Sequence, residues 1–208
     1  MHQPAPPLHD VGFVLVPAFA HSLWWFSEAV TISLFSLFGL FLCSPFLSAP
    51  RFHAVTVLVR VLVVIAICQL LRVCCFTATQ LPAPARHCQP GTTARLPWPD
   101  AWVDWLVVDV MRQSSHGCGD LIFSSHLTFG LTFALSIRRY ASRAAPKIAA
   151  FTLVGLQTIG IIASRKHYTV DVVVALFVVP LVWDAMLRRI ADAPPPRSGP
   201  AILSLLPR

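Results

Sequence analysis

"IASRKHYTVDVVVALF", residues 162–177, decides the fold. It joins the end of one apolar run to the start of another through a short polar turn. His167, Tyr168, Thr169 and Asp171 stand at the mouth of the second run. On a helix, His167 and Asp171 share one face and come within hydrogen-bonding reach, because they are four residues apart. A run this apolar reads as a membrane span. An imidazole and a carboxylate in such a run are costly, face the bundle interior, and are functional by default.

The bulk composition agrees with a membrane setting. Of 208 residues, 56% are hydrophobic and 12% charged, with a mean hydropathy of +0.69. A soluble domain carries about twice that charged fraction. The expected fold is all-α, a polytopic transmembrane helix bundle, and the length suits one bundle rather than two domains. The net charge of +7 would suit a nucleic-acid partner. The basic residues cluster instead at the ends of apolar segments, which is how topology is set, so nucleic acid is excluded.

Five runs approach the roughly 20 residues needed to cross a bilayer core: 29–48, 54–76, 121–137, 147–164 and 169–187. Arg60 and Arg72 in the second must snorkel or face the interior. Residues 11–25 are broken by Pro17 and His21 and read as an interfacial or re-entrant piece. The organisation expected is an N-terminal interfacial segment over 1–28, a membrane-embedded catalytic domain over 29–187, and a Pro-rich disordered tail over 188–208. Arg138, Arg139, Arg143, Lys147, Arg188, Arg189 and Arg51 fall on one side if the runs alternate, and that side is cytosolic. The loop 77–120 and the N-terminus then face the lumen or exterior. A missing first span would account for that N-terminal placement.

Cys43, Cys68, Cys74 and Cys75 lie in or beside apolar runs and read as small buried hydrophobes. Cys88 and Cys118 flank the polar loop on the oxidising side, where spacing leaves a disulfide and two free thiols equally open. No CxxC pair suggests structural zinc.

The polar groups converge. His126 opens the third run, and His167 and Asp171 open the fifth, so all three lie at one non-cytosolic surface. Such a set suits metal-free phosphoryl transfer. A neutral imidazole is a nucleophile toward a phosphodiester. An Asp on its far nitrogen fixes the tautomer, and a second His serves as acid and then base. Arg72 offers a fork to phosphate oxygens. Without that convergence, a His–Asp pair near a helix start would read as capping, and His126 as an ordinary interfacial His. His9, His21, His53, His87 and His116 read as interfacial or loop histidines, and Tyr168 as an interface anchor.

At these residues the chain resembles the sphingolipid synthases, within the wider lipid phosphate phosphatase superfamily. "CGDLIFSSH" (118–126) and "HYTVDVVVA" (167–175) are similar to that family's two catalytic motifs. "PPLHD" (6–10) is similar to its proline-rich motif, with His where the animal form has Pro. "LRVCCFTATQLPAPARHC" (71–88) looks like its Arg-containing second motif. "ARLPWP", "GCGDLIFSSH" and "IIASRKHYTVDVVVA" resemble the plant-type inositol phosphorylceramide synthases, and Ser125 stands where sphingomyelin synthases carry Gly.

The resemblance implies a six-span core, of which this chain lacks the first span. It implies His167 as nucleophile, Asp171 as its orienter and His126 as acid and base. Arg72, Asp120, Ser124, Ser125 and Tyr168 are implied beside the substrates. The reaction implied moves phosphoinositol from phosphatidylinositol to ceramide and releases diacylglycerol, with no metal or cofactor, on the luminal side of the Golgi, the trans-Golgi or the plasma membrane. The rivals are phosphocholine or phosphoethanolamine transfer, a lipid phosphate phosphatase, and an inactive truncated paralogue. A phosphatase usually places an Arg six residues before the nucleophilic His. Here Gly160 and Ile161 stand near that position, and Arg165 is only two away.

Overall fold

The computed structural model describes residues 6–19, 23, 25–44, 54–79, 81–85, 88 and 122–190. These residues form six helices: α1 (Val11–Leu15), α2 (Phe26–Cys43), α3 (Ala54–Ala78), α4 (Ser125–Tyr140), α5 (Ala144–Ala163) and α6 (Thr169–Arg189). Four of them, α2, α3, α5 and α6, are long and apolar enough to cross a membrane. The chain is a polytopic helical bundle.

Helix α4 is the axis of that bundle. It packs against α2, α3, α5 and α6, and most of its 16 residues are buried. At about 1.5 Å per residue it is the shortest of the five long helices, and its neighbours present the lipid-facing surface. Their outward residues are bare apolar side chains, among them Ile32, Leu40, Val55, Leu62, Leu70, Phe177 and Leu181. Inside, Phe133 of α4 stacks on Phe38 of α2 with ring centroids 4.4 Å apart and meets Phe35 edge-on at 4.9 Å. Each such ring pair adds about 0.5–1.5 kcal/mol beyond its buried area.

The observed helix ends refine the sequence reading. Helix α2 starts at Phe26 rather than 29, which brings Glu28 into its first turn. A carboxylate there complements the positive end of the helix dipole. The expected boundary between an N-terminal segment and the embedded domain at 28/29 therefore falls inside a helix. Helix α4 starts at Ser125 rather than 121. Ser124 is extended, and its N–H bonds the Asp171 carbonyl at 3.4 Å instead of joining a helical turn. At the other end α4 runs on to include Arg138 and Arg139, and α6 includes Arg188 and Arg189. Cations favour a last helical turn, so residues 188 and 189, expected in the tail, belong to α6. The loop residues Asp100, Asp104, Asp109, His116 and Cys118 lie outside the described residues.

Both ends of the bundle are tied. At one end Arg60, fully buried on α3, donates to the Ile190 carbonyl that follows α6 and sits 5.7 Å from the centre of the Tyr140 ring. The sequence reading required Arg60 to avoid lipid, and this is how it does so. The starts of α2, α4 and α6 meet the end of α5 at the other end. The Phe19 N–H bonds the Ala163 carbonyl at 2.9 Å there. The Arg and Lys clusters at 138–147 and 188–189 flank the Arg60 end, opposite His126 and His167.

Candidate active site

The turn between α5 and α6 puts three residues to work. Arg165 takes a left-handed backbone conformation, φ 56°, which is uncommon for a side chain of its size. The turn is held by its neighbours. The guanidinium donates to the Phe13 and Val16 carbonyls at 2.9 and 3.2 Å and lies 4.2 Å from the Phe13 ring centre. Arg165 is thus spent on anchoring α1 and is not an anion fork. Burial pulls its proton affinity down, partly offset by Asp10.

Next along the chain, the Lys166 ammonium pairs with Glu28 of α2. His167 follows, with Nδ1 3.2 Å from Oδ2 of Asp171, and the same oxygen accepts the Tyr168 N–H at 2.9 Å. Asp171 is fully buried, and its Oδ1 has no hydrogen-bond partner. A carboxylate on Nδ1 fixes the tautomer, so the lone pair sits on Nε2.

His126, in the first turn of α4, faces this pair. The two imidazole centroids are 6.4 Å apart with planes at 74°. Nε2 of His126 lies 3.5 Å from Oε1 of Glu28, and its buried Nδ1 has no hydrogen-bond partner. Each imidazole thus has a carboxylate on one nitrogen. The positive dipole ends of α4 and α6 both open here, which suits a phosphate.

The first turn of α6 is capped from far away. Oδ2 of Asp10 accepts the Thr169 N–H at 2.8 Å, Oδ1 accepts the Thr169 hydroxyl at 2.5 Å, and Oδ1 also accepts the Phe13 N–H at 3.2 Å. Burial would raise the Asp10 carboxyl, but these hydrogen bonds outweigh it and hold the group below its usual range. Tyr168 completes the latch. Its hydroxyl donates to the Pro82 carbonyl at 2.7 Å and accepts the Leu8 N–H at 3.0 Å, while its ring stacks on Phe13 at 5.5 Å. Burial raises its phenol above the ordinary value.

The fold therefore brings together His126, His167 and Asp171. Ser124 is fully buried beside them, its Oγ without a hydrogen-bond partner. Ser125 pairs at 3.4 Å with Gln69 of α3. Arg72, half-buried, is three residues beyond Gln69 toward the same end of the bundle. Tyr168 commits its hydroxyl to the protein's own backbone rather than to an open face. Asp120 lies outside the described residues. Cys88 is disulfide-bonded, and Cys118, one partner that the spacing left open, is also outside the described residues.

Sequence reasoning missed Glu28, Lys166 and the role of Asp10. Glu28 had a signal: it is the chain's single glutamate and the only charged residue from 11 to 50. Lys166 had none beyond its place next to His167.

A helical bundle with two facing histidines at one end defines a class. Residues 117–188 match the family described as PAP2 superfamily C-terminal. Finer similarity covers the whole chain. It is 40% identical over 209 residues to phosphatidylinositol:ceramide inositolphosphotransferase 3 of Arabidopsis thaliana, spanning 100% of this chain and 72% of that protein. It is 39% identical to enzyme 2 of the same plant, over 93% of this chain and 64% of that protein. It is 38% identical to the phosphatidylinositol:ceramide inositolphosphotransferase of Oryza sativa subsp. japonica, over 98% of this chain and 63% of that protein. The chain belongs to this family of plant phosphatidylinositol:ceramide inositolphosphotransferases.

Proposed function

We propose that the chain transfers phosphoinositol from phosphatidylinositol to the primary hydroxyl of ceramide and releases diacylglycerol. The observation that carries this reading is the pair of facing imidazoles, each held by its own carboxylate. In the first step Nε2 of His167 attacks phosphorus. The bond from phosphorus to the diacylglycerol oxygen breaks, and that oxygen takes a proton from Nδ1 of His126. The imidazolium of His167 keeps its Nδ1 proton on Asp171, as in other oriented histidines. In the second step the ceramide hydroxyl gives its proton to Nδ1 of His126 and its oxygen attacks phosphorus. The bond from phosphorus to His167 breaks, and both histidines return to their starting state.

Glu28 keeps a negative charge beside His126 while that ring carries two protons. One group thus serves as acid and then base, which suits ping-pong exchange between two alcohols. No residue in this scheme is asked to hold a metal. Arg72, Asp120, Ser124 and Ser125 are proposed to contact the donor, with Tyr168 at the edge of its site. The site is proposed to face the luminal side of the Golgi, the trans-Golgi or the plasma membrane, opposite the Arg and Lys clusters. The hydrolase rival is disfavoured by the anchoring of Arg165 to α1.

The test is direct. Membranes containing the full chain receive fluorescent ceramide and one phospholipid donor at a time, and products are separated by thin-layer chromatography. Inositol phosphorylceramide with phosphatidylinositol, undiminished by EDTA, is expected. Release of inositol phosphate to water without ceramide transfer would overturn the reading in favour of a phosphatase.

A further inference from the structure

Asp171 is fully buried. Among the described charged groups of the site, Glu28 and Lys166 keep some open surface, with side chains 24% and 14% exposed, beside His126 at 12%, as does the half-buried Arg72. Glu28 and Lys166 form an ion pair between helix α2 and the α5–α6 turn, 138 residues apart in sequence. Lys166 is also the residue immediately before His167. Consecutive residues are about 3.8 Å apart at Cα, and the reacting phosphorus must touch His167. The head group on that phosphorus therefore lies within reach of the Lys166 ammonium.

We infer that Lys166 sets head-group selectivity: it disfavours donors with a cationic head group and accepts one with a neutral polyol. This rests on the transferase reading above. The ammonium neutralises Glu28 at the rim, so the rim offers a choline or ethanolamine head group no net negative charge and one like charge to meet. Like charges brought together without water cost several kcal/mol. A polyol meets the same pair differently: its hydroxyls donate to the carboxylate oxygens and accept from the ammonium. Without Lys166, Glu28 keeps only the His126 ring as its partner, and the like charge that a cationic head group meets at this position is gone. Simple pinning of Glu28 by Lys166 would affect every donor alike, so the ratio between donors separates the two roles.

The experiment presents the full-length protein with mixed micelles holding ceramide and equal amounts of phosphatidylinositol, phosphatidylcholine and phosphatidylethanolamine. Lys166→Met and Lys166→Arg are compared with the unmodified chain. Lys166→Met is expected to raise the ratio of phosphoethanolamine product to phosphoinositol product by about tenfold or more. Lys166→Arg keeps the charge and is expected to leave the ratio within about twofold. An unchanged ratio in Lys166→Met overturns the proposal, as does a loss of all products together. A parallel readout does not need turnover: native mass spectrometry of the lipids retained by His167→Ala and by the His167→Ala, Lys166→Met double variant. There the second substitution is expected to shift retained donor from phosphatidylinositol toward phosphatidylethanolamine. Lack of transfer by the unmodified chain together with that shift would sink the transferase reading and keep the selectivity role. No shift would sink the selectivity role itself.

Discussion

The two histidines are held in opposite ways. His167 and Asp171 sit one helical turn apart at the start of α6, so their pairing exists as soon as that turn forms. His126 and Glu28 come from helices that share no local sequence, and their contact at 3.5 Å exists only once α2 and α4 have packed. The Phe35, Phe38 and Phe133 cluster sets that packing. The contrast separates a proposed nucleophile prepared locally from a proposed acid–base group prepared by the tertiary fold. Disturbing the bundle should therefore damage proton transfer before it damages the nucleophile.

Breaking the local pair should have the largest effect. His167→Ala is expected to remove transfer by several orders of magnitude in kcat/KM, while the protein still inserts and folds. A labelled donor without ceramide should mark the unmodified chain through phospho-histidine and leave this variant unmarked. Transfer that persists in His167→Ala would end the assignment. Asp171→Asn keeps the shape but favours the wrong tautomer, and a loss of roughly 10³-fold or more in kcat is expected.

The assembled pair comes next. His126→Ala is expected to cost about 10²–10⁴-fold, and the adduct on His167 should form more slowly with diacylglycerol as the leaving group. Glu28→Gln keeps an acceptor near Nε2 but removes the charge, so a loss of roughly tenfold to a hundredfold is expected. Single-turnover kinetics sharpen the comparison. Glu28→Gln should slow both half-reactions, since the proposed scheme uses His126 in each. A defect confined to one half-reaction would show that the two carboxylates do not play matching parts.

The smallest effect belongs to the cap that supports the local pair. Asp10→Ala should cost about 1 kcal/mol of stability and lower kcat a few-fold, read by thermal melts beside initial rates. The sign of its pH dependence follows from a carboxyl held below its usual range. The stabilisation is present above the unfolded value, about 3.9, and is lost as pH falls through the lower folded value. Between pH 7 and 5 the difference between unmodified and Asp10→Ala protein should stay constant.

Much of this could be read from the sequence because it is local or compositional. Apolar runs located all five long helices, and the spacing of His167 and Asp171 gave their contact outright. The position of His126 followed from its placement at a helix start on the same side. Glu28 could not be paired by sequence alone, since its partner depends on which helices pack together. The start of α4 was misjudged by four residues because Leu121, Ile122 and Phe123 are as apolar as the helix they precede. Only the Ser124 bond to the Asp171 carbonyl reveals the break. The Tyr168 hydroxyl bonds Pro82 and Leu8, partners that no periodicity announces.

The cap that Asp10 places on Thr169 spans 159 residues, and that distance has a meaning in time. A ribosome makes Asp10 early and Thr169 late, at roughly 5–20 residues per second. For many seconds the Asp10 end of the chain waits without its partner. The helix that carries His167 can be latched only after Thr169 has been made, so a nascent chain meets the membrane machinery with the proposed site unfinished.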